Sequence, residues 1–171
     1  MKKIVLVGYM GSGKSIIGQL LAEKLHLPFY DLDFLIEKEF QKSIMEIFSD
    51  EGEVFFRKKE HEIFKKMIEN DESFVLSTGG GTPCYANNHL YLQNHPVYSV
   101  YLKASIPVLV GRLKNEIAKR PLLHNLSDEE TFDYIAKHLF DRNYYYNQCK
   151  FNVATDEKTP EEIVAEIEQL L

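Results

Sequence analysis

The chain opens on a short apolar run, Ile4-Val-Leu-Val7, that passes directly into Gly8-Tyr-Met-Gly-Ser-Gly-Lys14-Ser15. This junction restricts the fold more than any other stretch. Its residues fit GxxxxGK[ST], a pattern that carries meaning only between a buried strand and the start of a helix. Both flanks are present. Ile4 to Gly8 reads as a strand, and from about Lys14 to His26 the residues Ile17, Leu20, Leu21 and Leu25 share one helical face. Glycines in such a loop let successive N–H groups converge on phosphate oxygens. Lys14 offers a point charge for the β- and γ-phosphates, and Ser15 a hydroxyl for Mg²⁺. A nucleoside triphosphate, ATP or GTP, is the expected ligand.

The rest of the chain alternates short apolar strands with longer helical stretches. Further strands are expected at Leu27 to Asp31, Phe74 to Ser77, Val97 to Leu102 and Phe151 to Ala154. Helical periodicity runs from Ser43 to Asn70, with an interruption near Gly52 and with Phe56, Ile63, Phe64 and Met67 as core. More helices are expected at Pro107 to about Leu113, Asp128 to about Tyr146 and Pro160 to Leu171, the last opening on proline and two acids. Repeated strand-helix-strand units predict a parallel sheet covered on both faces, an α/β three-layer architecture. No repeat or linker divides residues 1–171, which read as a single domain. The stretch from Lys114 to Asp128 lacks periodicity, and its Arg120-Pro-Leu-Leu-His-Asn125 centre reads as a loop that moves, a lid over about 114–126.

Composition narrows the partners. A net charge of −6 leaves no excess of basic residues for a general nucleic-acid or anionic-membrane binder. The apolar opening is too short to span a bilayer. Two cysteines, Cys84 and Cys149, form neither a CxxC nor a disulfide framework, which points to a reducing cytoplasm. No metal-ligand spacing links the histidines. A monomer acting on small molecules is expected.

The triphosphate user is narrowed in the same way. No NKxD stretch is present for guanine, and the strand at Phe74 to Ser77 ends in serine where a motor ATPase would end in an acid. A small-molecule kinase fits better. Asp31-Leu-Asp33 follows the second strand, at the sheet edge where open α/β folds bind ligands. Alternation along an extended segment would put both carboxylates on one side, one toward the metal and one toward an acceptor hydroxyl; a turn and helix cap would also use aspartates there. Arg57 and Glu60, three residues apart on a helix, can pair and present a guanidinium to a substrate carboxylate, or form an ordinary surface pair. Gly79, Gly80 and Gly81 end the third strand. Bare backbone there admits close approach of a ring-shaped substrate, with N–H groups donating to its hydroxyls.

The ordered set GYMGSGKS, DLD, FRKKE, STGGG and RPLL resembles shikimate kinase, from about Ile4 to Pro160. The resemblance implies the fold of the P-loop nucleoside monophosphate kinases, a five-stranded parallel sheet ordered 2-3-1-4-5. It implies transfer of the γ-phosphate of ATP to the 3-hydroxyl of shikimate, in chorismate and aromatic amino-acid biosynthesis, with Mg²⁺ as cofactor. Shikimate would be bound by Asp33, Arg57, Gly79, Gly80, Gly81 and Arg142, within a substrate segment of about 33–61 and beyond it, with Glu60 orienting Arg57. ATP would be held by Gly11, Ser12, Gly13, Lys14, Ser15 and Ile16, with Arg112 and Pro160 flanking adenine. Ser15 and Asp31 would support the metal. Lys14, Asp33 and the lid residue Arg120 would be catalytic. The chain departs from the family at Ile16, where threonine is common, so a hydroxyl near the α-phosphate is lost, and in the lid, where Glu116, Ile117 and Lys119 replace a more glycine-rich approach.

Two rivals stay open on sequence grounds. Another kinase of this fold, acting on gluconate or a nucleoside monophosphate, would explain the phosphate loop and a lid arginine but would not require FRxxE and GGG together. A non-catalytic nucleotide or shikimate sensor would be expected to lack Lys14, Asp33 or the lid arginine.

Overall fold

The computed structural model of the chain describes residues 1–114 and 126–171. Among these, β1 (Lys3–Val7), β2 (Phe29–Asp31), β3 (Phe74–Ser77), β4 (Tyr98–Lys103) and β5 (Phe151–Ala154) form one parallel sheet in the order β2-β3-β1-β4-β5. The strand β1 is central and every residue in it is buried, as expected of a strand covered on both faces. Even its Lys3 is accommodated, because its ammonium donates to the carbonyl of Ile68 at 2.7 Å.

Alternation along the strands sorts the core into two layers. Ile4, Leu6, Val75, Val100, Leu102 and Val153 face α1 (Lys14–Leu25) and α7 (Pro160–Glu168), meeting Ile17, Leu21, Ile163 and Ile167. Val5, Val7, Phe74, Leu76 and Tyr101 face the other way. They pack against α2 (Leu32–Phe40), α3 (Ile44–Glu69), α4 (Asn88–Asn94), α5 (Ile106–Lys114) and α6 (Asp128–Tyr146) through Ile36, Phe64, Leu92, Leu109 and Ile135, among others. The expected three-layer order is therefore the observed one.

Local chemistry sets the element ends. Capping boxes open α3 (Ser43 with Glu46), α6 (Ser127 with Glu130) and α7 (Thr159 with Glu162). By contrast α1 opens at Gly13, φ 94°, with no side-chain cap. Gly52, φ 83° and ψ 170°, is non-helical and kinks α3 where the periodicity breaks. Two helices, α2 and α4, were not anticipated. The former begins at the very aspartates read as an extended segment, and the latter is only seven residues long and follows left-handed residues at Ala86 and Asn87. The second strand starts later than expected, at Phe29, because Leu27 still donates to the carbonyl of Ala22 and completes the end of α1. No helix among the described residues is long and apolar enough to cross a membrane.

Candidate active site

The phosphate loop turns on two glycines in the left-handed region, Gly11 at φ 78° and Gly13 at φ 94°, a conformation that a side chain disfavours. Lys14 is folded over the loop and donates to the carbonyls of Gly8 and Tyr9, at 2.9 Å each. Its neighbour Ser15 donates to Asp31 Oδ2 at 3.2 Å. Asp31 is at once helix cap and site residue: its Oδ1 accepts from the N–H of Asp33 at 3.1 Å and of Phe34 at 3.4 Å.

Asp33 reaches the site by a different route from the one expected. The strand ends at Asp31, and Asp33 lies in the first turn of α2, so strand alternation does not align the two carboxylates. Both still line one cavity of about 550 Å³, together with Lys14, Arg57, Glu60 and Arg142. Burial, then the carboxylates of Asp31 and Glu60, push the Asp33 carboxyl up to about 6, against the opposing pull of Lys14 and Arg57. A carboxylate of that basicity beside a phosphate loop suits acceptance of a hydroxyl proton.

Arg57 sits opposite on α3. Its Nη1 donates to Glu60 Oε2 at 2.7 Å, and its guanidinium lies over the Tyr85 ring at 4.2 Å. Glu60 is buried, and its second oxygen accepts from the Thr82 hydroxyl at 2.6 Å. Arg142 approaches from α6, stacked over the Tyr9 ring at 5.5 Å. Tyr146, one turn on, donates to the carbonyl of Gly80 at 2.7 Å and anchors the glycine turn to α6. Of the tyrosines that end the helix, Tyr146 is fully buried while Tyr144 is exposed.

None of Gly79, Gly80 and Gly81 has a positive φ, so freedom of the backbone is not why they are glycines. Space is the reason. A Cβ on Gly79 would stand 3.0 Å from Asp33 Oδ1 and 3.2 Å from Glu60 Oε1, and one on Gly81 would stand 2.6 Å from Arg57 Nη2. One on Gly80 would touch Arg142 Nη1 at 3.4 Å. The turn therefore makes room for the polar side chains as well as for any ring that enters.

A second cavity of about 180 Å³ adjoins the loop, sharing Gly13 and Ile16 with the first and lined also by Ser12, Arg112, Lys158 and Pro160, among others. Arg112 Nη1 donates to the carbonyl of Gly11 at 3.2 Å, which joins α5 to the loop. Arg112 and Pro160, which the resemblance sets beside adenine, both line this cavity. The catalytic assignment of Arg120 lies outside the described residues.

Sequence reasoning missed several lining groups. Ile44, Phe48 and Phe56 give the larger cavity an apolar wall, and Tyr134 and His138 line it from α6. His138 Nδ1 is 3.1 Å from the Tyr9 hydroxyl, and burial followed by the nearby Arg142 charge lowers its pKa. No local signal marked these residues as lining groups, since only the docking of α3 and α6 around the loop brings them in.

Two hard oxygen ligands from the chain, the Ser15 hydroxyl and the Asp31 carboxylate, fit a cation that takes its other ligands from water and phosphate, as Mg²⁺ does. Among the described residues no cluster of three or more His, Cys, Asp or Glu side chains could hold a metal unaided.

Comparison with known proteins agrees with this chemistry. The profile of the family described as shikimate kinase matches residues 10–171. A shikimate kinase of Flavobacterium psychrophilum is 58% identical over 171 residues, covering 100% of this chain and 99% of its own. The crystal structure of shikimate kinase from Bacteroides thetaiotaomicron superposes with a TM-score of 0.88 at 34% identity, covering 99% of this chain and 97% of that one. Shikimate kinase from Acinetobacter baumannii, solved in complex with shikimate, superposes with a TM-score of 0.87 at 30% identity, covering 99% and 92%.

Proposed function

This chain belongs to the shikimate kinase family, and from that premise we propose how its residues divide the work of moving the γ-phosphate of ATP to the 3-hydroxyl of shikimate. One observation carries the reading: Asp33, Arg57 and Arg142 line a single cavity together with Lys14, so the groups read as acceptor-binding and phosphate-binding share one volume. Arg57 and Arg142 hold the shikimate carboxylate, and Glu60 keeps the Arg57 fork aimed. The backbone of Gly79 to Gly81 lies close along the ring. Asp33 accepts a hydrogen bond from the 3-hydroxyl and takes up its proton as the oxygen engages phosphorus. Because such transfer proceeds through a loose transition state, orientation matters more than proton removal.

On the nucleotide side, loop N–H groups and Lys14 cradle the β- and γ-phosphates, and adenine occupies the smaller cavity between Arg112 and Pro160. Mg²⁺ would be held by Ser15 and Asp31, and when bound it neutralises phosphate charge. Arg120 is assigned, from the RPLL resemblance alone, to stabilising the charge of the transferring group. Residues 1–171 act as one catalytic unit, a cytoplasmic monomer. Titration of shikimate into the Arg57→Ala variant tests the site: loss of affinity with ATP binding intact is expected, and unchanged affinity would remove Arg57 from it.

A further inference from the structure

The stretch that follows the three glycines encloses Arg57 from several directions. Gly81 leaves room for the guanidinium edge, since any Cβ there would meet Nη1 and Nη2 at 2.7 and 2.6 Å. The guanidinium lies over the Tyr85 ring, with Cζ 4.2 Å from the ring centroid. The Tyr85 hydroxyl donates to Glu53 Oε1 at 3.2 Å, and that same oxygen is 3.5 Å from Arg57 Nε. Thr82 acts through Glu60: its hydroxyl binds Oε1 at 2.6 Å while Arg57 binds Oε2 at 2.7 Å.

This arrangement has a fixed direction. Asn88 Nδ2 donates to the carbonyl of Thr82 at 2.9 Å, so Asn88 Oδ1 must face His61, whose Nδ1 lies 2.7 Å away and carries the proton. Thr82, Asn88 and Glu60 are all buried, so none can exchange its partner for water. Glu60 therefore has one orientation in which both oxygens are satisfied, and in that orientation Arg57 is held. Neither Thr82 nor Tyr85 lines the large cavity.

We propose that Thr82 and Tyr85 are positioning residues for substrate recognition: they fix the pose of Arg57 for a carboxylate without contacting substrate. This rests on the reading of Arg57 as a carboxylate-binding group. Thr82→Val keeps the shape and removes the donor. Glu60 is then left with a buried, unpartnered oxygen and turns to recover a bond, taking the guanidinium with it. The removal of a hydrogen bond to a charged group is expected to raise KM for shikimate about tenfold. Tyr85→Leu, at a partly exposed site, keeps an apolar cover but loses the ring face, and a rise of about threefold is expected.

The experiment is steady-state kinetics with both substrates on Thr82→Val, Thr82→Ser, Tyr85→Leu, Arg57→Ala and the double variant Arg57→Ala/Thr82→Val. The proposal expects KM for shikimate to rise in Thr82→Val and Tyr85→Leu with KM for ATP unchanged. It expects Thr82→Ser to restore wild-type behaviour, and Thr82→Val to add nothing once Arg57 is gone. Equal effects of Thr82→Val with and without Arg57, or no effect where Arg57→Ala has one, would overturn it. Should Thr82→Val fail to fold, Tyr85→Leu decides alone: unchanged KM for shikimate overturns the proposal. If Arg57→Ala itself leaves KM for shikimate unchanged, the fault lies with the carboxylate reading.

Discussion

Gly81 and Arg57 compete for one space: a Cβ on the glycine would stand 2.6 Å from Arg57 Nη2, inside contact distance. The guanidinium can occupy its pose only because residue 81 has no side chain. Gly81→Ala should therefore act as a substrate-site variant although it alters only a turn. KM for shikimate is expected to rise tenfold or more, equivalent to at least ~1.4 kcal/mol of lost binding, with KM for ATP unchanged. Kinetics with each substrate varied in turn check this. An equal rise in both constants would mean that the turn had collapsed.

Asp33 holds its charge at a cost to folding. Its carboxyl is raised from 3.8 to about 6, chiefly by burial, so the folded state takes up its proton more readily than the unfolded chain. That preference favours folding below pH 4 and is lost as pH rises through 6. Asp33→Asn carries no charge and escapes the loss. At pH 7 it should be more stable than the wild type by about 3 kcal/mol, with the difference vanishing near pH 4, while turnover falls severely. Denaturant unfolding at the two pH values gives the sign directly.

The same group should shape the pH profile. If ionised Asp33 accepts the hydroxyl proton, kcat/KM for shikimate at saturating MgATP is flat above about pH 6. Below that value it falls about tenfold per pH unit. A profile that stays level down to pH 5 would assign Asp33 to orientation by its neutral form.

On the nucleotide side, Arg112 lines the smaller cavity, and Ile16 lines both cavities beside the phosphate loop. Arg112→Ala should raise KM for ATP about fivefold through lost stacking and should leave KM for shikimate unchanged. Ile16 is 60% exposed, so a hydroxyl placed there disturbs no packing. Ile16→Thr is expected to lower KM for ATP about threefold, the worth of one neutral hydrogen bond. Shikimate-side effects in Arg112→Ala would contradict the division between cavities.

Most of the site was legible because its chemistry is local. Between strand and helix, Gly8 to Ser15 has one physical use, and Arg57 with Glu60 announces its pairing by helical spacing. Asp33 lines the cavity by a geometry other than the extended one read from sequence: the backbone turns into α2 at Asp31, whose capping bonds to Asp33 and Phe34 leave no sign beyond the aspartates themselves. The three glycines were read for substrate approach, yet Gly81 answers first to Arg57, a residue 24 positions earlier, which only the packed turn reveals. Thr82, His138 and the Phe48 wall stayed hidden for the same reason. Their roles depend on how α3 and α6 dock, and neither spacing nor residue type encodes that docking in one segment.

The most direct test is release of ADP by the purified protein with MgATP, measured with shikimate, gluconate and a panel of nucleoside monophosphates as acceptors. The account predicts release that depends on shikimate alone and falls severely in Asp33→Asn. Comparable release with another acceptor, or none with shikimate, would contradict it.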